Sequence, residues 1–433
     1  MFGCQPVLLG PDDSLRSILE FICSEANKLT NCGIYYARQL YFKAKKWIGK
    51  HSLSYEYKSN KHYQVLHSQA AQQTLIAVWE SFKSYRELLK LWLKGDLKDK
   101  PKLPNYRTKD GLAVITYPKQ ALKLQDGLIR VPLGTLCKVW FGIDSFTIPM
   151  PSNLKFQDIK ELRILPRNGC FYLEFVYRLP VVQADVDSDK VLGIDSGVNN
   201  WLTCVSNIGK SFILDGRKLK SLNQFYNKRV ATLKAGKPQG YWDEQLADIC
   251  EKRNRQMRDA INKAARFILN WCLKHRIGTV VFGWNRGIKD GINIGSKNNQ
   301  EFVQIPTARL KSRLAQLFEQ HGISFVETEE ANTSAASFLD ADSLPAFGEK
   351  PEGWKASGKR VQRGLYRTAQ GWLINADANG AANIMAKVAT QLGFSLAEVG
   401  RAVLTLPKRY DVFSGLKKSY REKCEEARLQ SAS

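Results

Sequence analysis

The stretch Val191-Leu-Gly-Ile-Asp195-Ser-Gly-Val-Asn-Asn-Trp-Leu-Thr-Cys-Val-Ser206 decides how this chain is interpreted. Its apolar residues alternate on both sides of Ser196-Gly197, which predicts two strands joined by a tight turn. Asp195 ends the first strand, so its carboxylate projects where the backbone turns sharply. That position suits a metal ligand, although Asp-x-Gly after a strand is as often an ordinary turn.

The sequence that follows alternates between helical and strand patterns. A helical pattern runs from about residue 222 to 275, an apolar run covers 279–282, a helix is predicted for 307–321, and a short apolar run covers 323–326. The order strand, strand, helix, strand, helix, strand is typical of an α/β fold.

A second isolated carboxylate, Asp377, lies in Leu373-Ile-Asn-Ala-Asp-Ala-Asn-Gly-Ala-Ala-Asn-Ile384, where an Ala-rich helical pattern begins. The helix dipole favours a negative charge near a helix N-terminus. Taken alone, Asp377 is equally well explained as a first-turn acid that stabilises the helix.

Together the two segments resemble the first and last motifs of the RuvC nuclease domain of transposon-encoded TnpB proteins and of their descendants, the compact type V CRISPR effectors. The matching residues are 193–199 and 375–384, and residues 293–306 and 322–334 also follow the family pattern. The resemblance implies an RNase H-like fold in which carboxylates on a mixed sheet bind two divalent cations, Mg²⁺ or Mn²⁺, about 3.5–4 Å apart. Asp195 would bridge both cations, and Asp377 would complete the site.

The third carboxylate departs from the family pattern. Many relatives have a Glu at the end of the strand that here reads Thr279-Val-Val-Phe-Gly-Trp-Asn285, but Gly283 or Trp284 occupies that place. Either metal binding has been lost, or the ligand has moved to Val326-Glu-Thr-Glu-Glu330 on the next strand. We favour relocation because Asp195 and Asp377 are both retained. Strand alternation puts Glu327 and Glu329 on one face and Glu330 in the turn, so Glu329 is the first choice and Glu330 the second.

No zinc is expected. Relatives carry two CxxC pairs in the segment before the last motif, whereas residues 335–372 contain no cysteine, and the nine cysteines of the chain include no CxxC pair. A disulfide framework is not expected either. We expect residues 335–372 to form a metal-free lid, with Arg360, Arg363 and Arg367 available to contact phosphates.

The N-terminal part is predicted to be mostly helical up to about residue 94. Its lysines interleave with aromatic residues, a mixture suited to phosphate contact and base stacking, although a solvated lysine face over aromatic core residues explains any one position as well. The candidate nucleic-acid-binding residues are Lys43, Lys46, Lys58 and Lys61. A basic connector at 95–107 leads to residues 100–180, which are predicted to be a β-barrel or sandwich containing a hairpin at Asn168-Gly169.

The resemblance implies a multidomain protein that combines α/β, β-barrel and helical parts. Its expected divisions are a wedge β-barrel (1–12 and 100–183), an inserted helical recognition lobe (13–99), a RuvC-like nuclease domain (184–334 and 373–410), a cysteine-free remnant of the zinc ribbon (335–372) and a basic C-terminal tail (411–433).

The charge balance points to a polyanionic partner. The chain has 65 Lys and Arg against 41 Asp and Glu, a net charge of +24. With the resemblance, this predicts an RNA-guided DNA endonuclease whose partners are a guide RNA and double-stranded target DNA. The alternatives are a nuclease-inactive RNA-guided binder and, third, an unguided structure-specific nuclease or transposase accessory factor.

The expected setting is the cytoplasm, in association with the nucleoid. The first twelve residues lack the basic cluster and apolar run of a signal peptide, and no apolar stretch is long enough to span a membrane. The oligomeric state is left open by the sequence, and a monomer on its RNA is favoured.

Overall fold

The computed structural model describes residues 1–285 and 305–412. The chain forms two compact units, Met1–Leu179 and Pro180–Ser433, each with its own hydrophobic core. Most of the family-like segment at 293–306 and nearly all of the predicted tail at 411–433 lie outside the described residues. None of the eight cysteines in the described part forms a disulfide.

The first unit contains the predicted helices. They are α1 (Asp13–Ala44), α2 (Ser52–Glu56), α3 (Lys61–Val65), α4 (Ser68–Leu93) and α5 (Thr135–Phe141). Helix α1 begins at the N-cap Asp12, whose side chain accepts a hydrogen bond of 2.8 Å from the backbone N–H of Leu15, and it ends where Lys45 adopts a left-handed conformation. Its buried stripe packs in the same core as that of α4.

The strands of the first unit form two small antiparallel sheets. The strands are β1 (Phe2–Leu9), β2 (Ile115–Pro118), β3 (Lys123–Gln125), β4 (Leu128–Pro132), β5 (Ser145–Pro149), β6 (Ile159–Arg167) and β7 (Cys170–Arg178). Their orders are β1-β7-β6-β2 and β3-β4-β5. Both sheets are open, so the predicted strands are present but no closed barrel is detected among the described residues.

The hairpin predicted at Asn168-Gly169 is confirmed. Both residues have positive φ, 49° and 71°, as a two-residue turn between twisted strands requires. The register pairs Leu162 with Phe175 and Ile164 with Leu173, and all four of these side chains are buried.

The helices and strands of the first unit share one continuous core. It contains Leu19 and Leu75 from the helices together with Ile115, Ile129 and Leu173 from both sheets. The basic connector between them is docked on α1 through its backbone. Asn31 exchanges two hydrogen bonds with the backbone of Arg107, of 2.8 and 3.2 Å, and Asn27 donates to the carbonyl of Thr108 at 3.0 Å.

The second unit is built on a six-stranded mixed sheet. Its strands are β8 (Asp187–Ser196), β9 (Asn200–Ser206), β10 (Lys210–Asp215), β11 (Ile277–Gly283), β12 (Ser324–Thr328) and β16 (Lys408–Tyr410). The order is β12-β11-β8-β9-β10-β16, in which β12, β11 and β8 are parallel, β9 is antiparallel to both neighbours, and β16 is parallel to β10. The predicted α/β pattern is confirmed. Strand β10 was not predicted.

Helices cover both faces of this sheet. They are α6 (Arg217–Lys234), α7 (Glu244–Lys274), α8 (Thr307–Gln320), α9 (Ala376–Leu392) and α10 (Arg401–Thr405). One face packs Leu192, Ile194 and Phe282 with α7 and α8, and the other packs Val191 and Val281 with α9. Because strand residues alternate between faces, Gly193 and Asp195 share the α9 face with Val191.

Helix α9 lies unusually close to β8. A Cβ on Gly193 would come within 2.6 Å of the Ala381 carbonyl oxygen and 2.4 Å of the Met385 side chain. The Ala-rich face of α9 makes this approach possible because it has little side-chain bulk. No helix in the described ranges is long and apolar enough to cross a membrane.

The cysteine-free segment contains a small three-stranded sheet made of β13 (Lys359–Gln362), β14 (Leu365–Arg367) and β15 (Leu373–Asn375). Two aspartates join its loops. Asp342 accepts from the backbone N–H groups of Ser337 and Ser357 at 2.7 and 3.0 Å, and Asp340 accepts from that of Ala369 at 2.8 Å. Carboxylates therefore cross-link loops in this segment through hydrogen bonds.

Candidate active site

Asp195 lies at the end of β8, on the sheet face that α9 covers. A Cβ on Gly380 of α9 would stand 3.0 Å from its Oδ2 atom, so the carboxylate rests against the glycine backbone of the helix. The sequence folds this way because Gly193 and Gly380 remove side chains from both sides of the contact. The first predicted ligand is therefore enclosed between strand and helix.

Asp377 is the second residue of α9. The cap is Asn375, whose Oδ1 accepts hydrogen bonds from the backbone N–H groups of Asp377 and Ala378 at 3.0 and 2.9 Å. The carboxylate has two side-chain partners. Asn200 donates to Oδ2 at 2.5 Å, and Arg360 lies 3.5 Å from Oδ1.

Glu330 follows the end of β12, and its carboxylate is a charged neighbour of Asp195. A Cβ on Gly283 would stand 2.8 Å from its Oε1 atom, so the Glu330 side chain fills the space beside that glycine. Its backbone N–H donates to Asn285 at 2.9 Å. Its Oε1 atom is buried and has no hydrogen-bond partner among the described residues.

The chain after Glu330 is held by two buried asparagines of α9. Asn379 donates to the carbonyl of Ala336 at 2.7 Å, and Asn383 donates to those of Thr333 and Ala336 at 2.8 Å each. Buried amides with satisfied hydrogen bonds hold a segment in one conformation. The last sequence motif thus anchors the segment that carries Glu330, a role that the sequence analysis did not assign.

The other two glutamates of this strand end are neutralised by lysines. Glu329 is paired with Lys387 of α9, which is largely buried, and its Oε2 accepts from the backbone N–H of Ala331 at 3.0 Å. Glu327 pairs with Lys311 of α8 at 2.5 Å. Glu329, the first choice from the sequence, thus has a cation as its partner, whereas Glu330, the second choice, has none within the described ranges.

Three carboxylates interact through their charges. They are Asp195, Glu330 and Asp377, and we call them the carboxylate row. Burial raises the pKa of Asp195 well above its usual range, and the charges of Glu330 and Asp377 raise it further, against a smaller opposing effect of Arg360. Burial, and then the charge of Glu329, raises the pKa of Glu330 to about 7. Like charges held together in a buried site are stabilised when cations bind between them.

The carboxylate row suits hard divalent cations by its oxygen donors and by the unpartnered Glu330 oxygen. Among the described residues, however, no three His, Cys, Asp or Glu side chains converge so as to hold one ion. Asp195 instead has Glu330 and Asp377 as separate charged neighbours.

An arginine pocket of about 470 Å³ opens beside Asp377. Four arginines line it, namely Arg217, Arg360, Arg363 and Arg409. Arg360 and Arg363 were predicted to contact phosphates, while Arg367, on β14, is not among the lining residues. Burial would raise the pKa of Asp215, but hydrogen bonds from Arg217 and the charges of Arg217 and Arg409 lower it below its usual range. Asp215 is therefore ionised and holds these two arginines.

The candidate lysines of the first unit are all exposed. Lys43, Lys46 and Lys58 lie at and beyond the end of α1, and Lys61 begins α3. Some of the aromatic residues near these lysines are part of the core and others are exposed. Trp47 packs against the core, whereas Tyr55 is 88% exposed.

Sequence reasoning missed five residues around the row: Gly283, Asn285, Asn200 and Arg409, and also Lys387, which pairs with the neighbouring Glu329. Gly283 did carry a signal, because a glycine at a strand end marks a close approach. The other four had none, since each acts on a residue far away in the sequence.

Comparison with known proteins bears on the fold. Residues 174–289 match the family model OrfB_IS605, described as "Probable transposase". The chain is similar to one in the cryo-EM structure of the Cas12f1-sgRNA-target DNA complex, with a TM-score of 0.58 and 16% identity over 86% of this chain and 83% of that one. A CRISPR-Cas12f ternary complex matches over 86% and 82% at 16% identity, with a TM-score of 0.32. No curated protein matches the chain.

These matches confirm the resemblance to TnpB proteins and compact CRISPR effectors that the sequence predicted. At identities this low, the similarity to solved structures concerns the mixed, multidomain α/β fold.

Proposed function

We propose that this chain is an RNA-guided DNA endonuclease of the TnpB type, which hydrolyses guide-matched DNA next to a short flanking motif. The observation that carries the proposal is the carboxylate row. In it a buried Asp195 has two further acids as charged neighbours, and one oxygen of Glu330 has no hydrogen-bond partner in the part of the chain that the structure describes. Such an arrangement is unfavourable for folding alone, because burial and mutual repulsion both oppose ionisation. Metal-dependent chemistry explains it, and the family match and the Cas12f1-like fold support nucleic acid as the substrate.

In this proposal the six-stranded sheet and α9 form an RNase H-like (RuvC) nuclease domain, residues 184–334 and 373–410, with 335–372 as its cysteine-free insert. Residues 13–99 are the recognition lobe, and 1–12 with 100–183 are the wedge. The sheet order supports the assignment, since three antiparallel strands are followed by two parallel strands on the side of the first.

The residues that would hold two divalent cations are the three acids of the carboxylate row, Asp195, Glu330 and Asp377. Bound Mg²⁺ or Mn²⁺ would supply positive charge to activate a water molecule and to stabilise the leaving oxygen. This assigns the third carboxylate to Glu330 in place of Glu329.

The protein's own residues would do the remaining work. Asn375 and Asn200 hold Asp377 at the helix N-terminus, and Asn285 and Gly283 hold Glu330. Arg360 and Arg363 line the pocket beside Asp377 and would bind phosphates of the cleaved strand. Lys43, Lys46, Lys58 and Lys61 would contact the nucleic-acid backbone, where contacts position the chain without reading sequence.

Sequencing the RNA that co-purifies with the protein, followed by incubation with a plasmid library of randomised flanks in Mg²⁺, tests this function. We expect one defined RNA and cleavage only of plasmids that match its guide. A mismatched guide and a sample with EDTA are the controls. Guided binding without cleavage in Mg²⁺ or Mn²⁺ would identify an inactive binder, and cleavage without bound RNA would identify an unguided nuclease.

A further inference from the structure

We infer that Asn200 is a positioning residue for Asp377 and that Arg409, on β16, sets the orientation of Asn200. The inference rests on the proposed function, because it concerns how one acid of the carboxylate row is held. Nothing in the sequence brings these residues together, since 209 positions separate Asn200 from Arg409. The sheet brings them together by placing β9, β10 and β16 side by side.

Asn200 bridges a cation and an anion through the two ends of its amide. Its Nδ2 donates to Asp377 Oδ2 at 2.5 Å, and its Oδ1 accepts from Arg409 Nη2 at 2.8 Å. An asparagine amide can be turned so that oxygen and nitrogen exchange places, and its partners decide which orientation is stable. Arginine can only donate and an ionised carboxylate can only accept, so the pair of partners permits one orientation.

Arg409 is itself held from two directions. Its backbone lies opposite Ile213 in the parallel pairing of β16 with β10, and its Nη1 lies 3.3 Å from Asp215 Oδ2. Asp215 also accepts from the Nε atom of Arg217 at 2.8 Å, so the carboxylate has a second partner that holds it in place independently of Arg409. Because Asp215 lies directly opposite Asn200 in the β9–β10 register, the guanidinium spans one strand spacing.

Removal of Arg409 would release this constraint. The Oδ1 atom of Asn200 would then lose its donor, and the side chain could turn away from Asp377, which would lose its shortest hydrogen bond. The Asp377 end of the carboxylate row therefore depends on a three-residue strand at the edge of the sheet. Residues that orient metal ligands typically change metal affinity or activity by about 10–100-fold when mutated.

The first experiment replaces Asn200 with Leu, which keeps its shape and removes both hydrogen-bonding groups. Mn²⁺ binding to the full-length, RNA-free protein is measured by calorimetry, and Mg²⁺-dependent cleavage and guided DNA binding are measured on the ribonucleoprotein. We expect Asn200→Leu to weaken Mn²⁺ binding and cleavage by about 10–100-fold and to leave guided DNA binding unchanged. Thermal unfolding of each variant checks that the fold is retained.

The second experiment tests whether Arg409 acts through Asn200. Arg409→Met should weaken Mn²⁺ binding less than Asn200→Leu does, and Arg409→Lys, which keeps a donor and the charge, should restore part of the loss. In the Asn200→Leu background, Arg409→Met should have no further effect. The matched control is Lys408→Met, which removes a positive charge from the neighbouring exposed residue of the same strand.

Three results would overturn the inference. The first is Mn²⁺ binding by Asn200→Leu equal to that of the unmodified protein. The second is full additivity of Asn200→Leu and Arg409→Met, which would mean that the residues act separately. The third is loss of DNA affinity with intact Mn²⁺ binding in Arg409→Met, which would make Arg409 a phosphate contact. If the unmodified protein binds Mn²⁺ but does not cut DNA, the proposed function fails while the Mn²⁺ data still decide the role of Asn200.

Discussion

The two ends of the carboxylate row are held in opposite ways. At the Asp377 end a cap, an amide and an arginine all engage the acid, and an arginine pocket opens beside it. At the Glu330 end the acid is packed against Gly283, and one oxygen has no partner among the described residues. The Asp377 carboxylate is held by hydrogen bonds, whereas the Glu330 carboxylate is held by packing against Gly283. The Glu330 end therefore has a carboxylate oxygen that a bound cation could neutralise, whereas the Asp377 carboxylate already has donors from Asn200 and Arg360.

The largest expected effect is on cleavage, and it should be equal at the two ends. Glu330→Gln and Asp377→Asn should each reduce cleavage of guided DNA by at least about a thousandfold, because each removes a charge that holds a cation. Guided DNA binding should be retained in both variants. Single-turnover cleavage assays and filter binding measure the two quantities.

The stabilities of the same two variants should diverge, which tests the difference between the two ends. At pH 8 without metal, Glu330→Gln should raise the free energy of unfolding by about 1–3 kcal/mol because it removes a buried, repelled charge. Asp377→Asn should lower it by about 0.5–1 kcal/mol because it loses the helix dipole interaction. Equal changes in the two variants would contradict the contrast drawn above.

Gly283→Ala should disturb only the Glu330 end. A Cβ there would stand 2.5 Å from Ile384 Cδ1 and 2.8 Å from Glu330 Oε1, so the glutamate must move. We expect cleavage to fall by about 10–100-fold and stability to fall by about 1–3 kcal/mol. Gly400→Ala is the matched control, since nothing lies within 4 Å of a Cβ at that position. Normal cleavage by Gly283→Ala would show that Glu330 is not part of the catalytic site.

Glu329→Gln should have a smaller effect than Glu330→Gln, because Glu329 is neutralised by Lys387 and lies outside the carboxylate row. We expect a reduction in cleavage of no more than about tenfold, through the weakened hold on the strand end, and a loss of about 1–2 kcal/mol in stability from the unpaired lysine. Parallel cleavage time courses of the two variants measure the difference. An inactive Glu329→Gln beside an active Glu330→Gln would restore the first choice made from the sequence.

A pH dependence is also expected for the metal-free protein. Since burial raises the pKa of Glu330 from 4.5 to about 7, the folded chain binds a proton there that the unfolded chain has released. Stability from this group is therefore present below about pH 4.5 and is lost as the pH rises to about 7. Relative to Glu330→Gln, the unmodified protein should lose about 3 kcal/mol between pH 4.5 and 8, as measured by urea unfolding. Parallel curves for the two proteins would contradict this account.

Local sequence was sufficient for much of the fold. The Asn168-Gly169 hairpin follows from two residues that tolerate positive φ, and the strands ending at Asp195 and Gly283 follow from apolar runs bounded by turns. The start of α9 at Asn375 follows from a cap residue before an Ala-rich run. These features depend on residues within a few positions of each other, so one sequence is enough to predict them.

The surroundings of the three glutamates depend on the tertiary structure. Strand alternation predicts that Glu327 and Glu329 lie on the same face. However, β12 ends at Thr328, so the two-residue period does not apply to Glu329. Glu327 accordingly pairs with α8 and Glu329 with α9, on opposite faces of the sheet.

Local sequence was enough to predict that Asp195 lies at the end of a buried strand and Asp377 at the start of a helix, because both are properties of short segments. Only the tertiary structure decided that Glu330 occupies the space beside Gly283 and that Arg409 reaches Asn200. The physical reason is that these contacts arise where strands and helices distant in the chain pack together. Their distances depend on the packing of the whole sheet and not on any local preference of the residues involved.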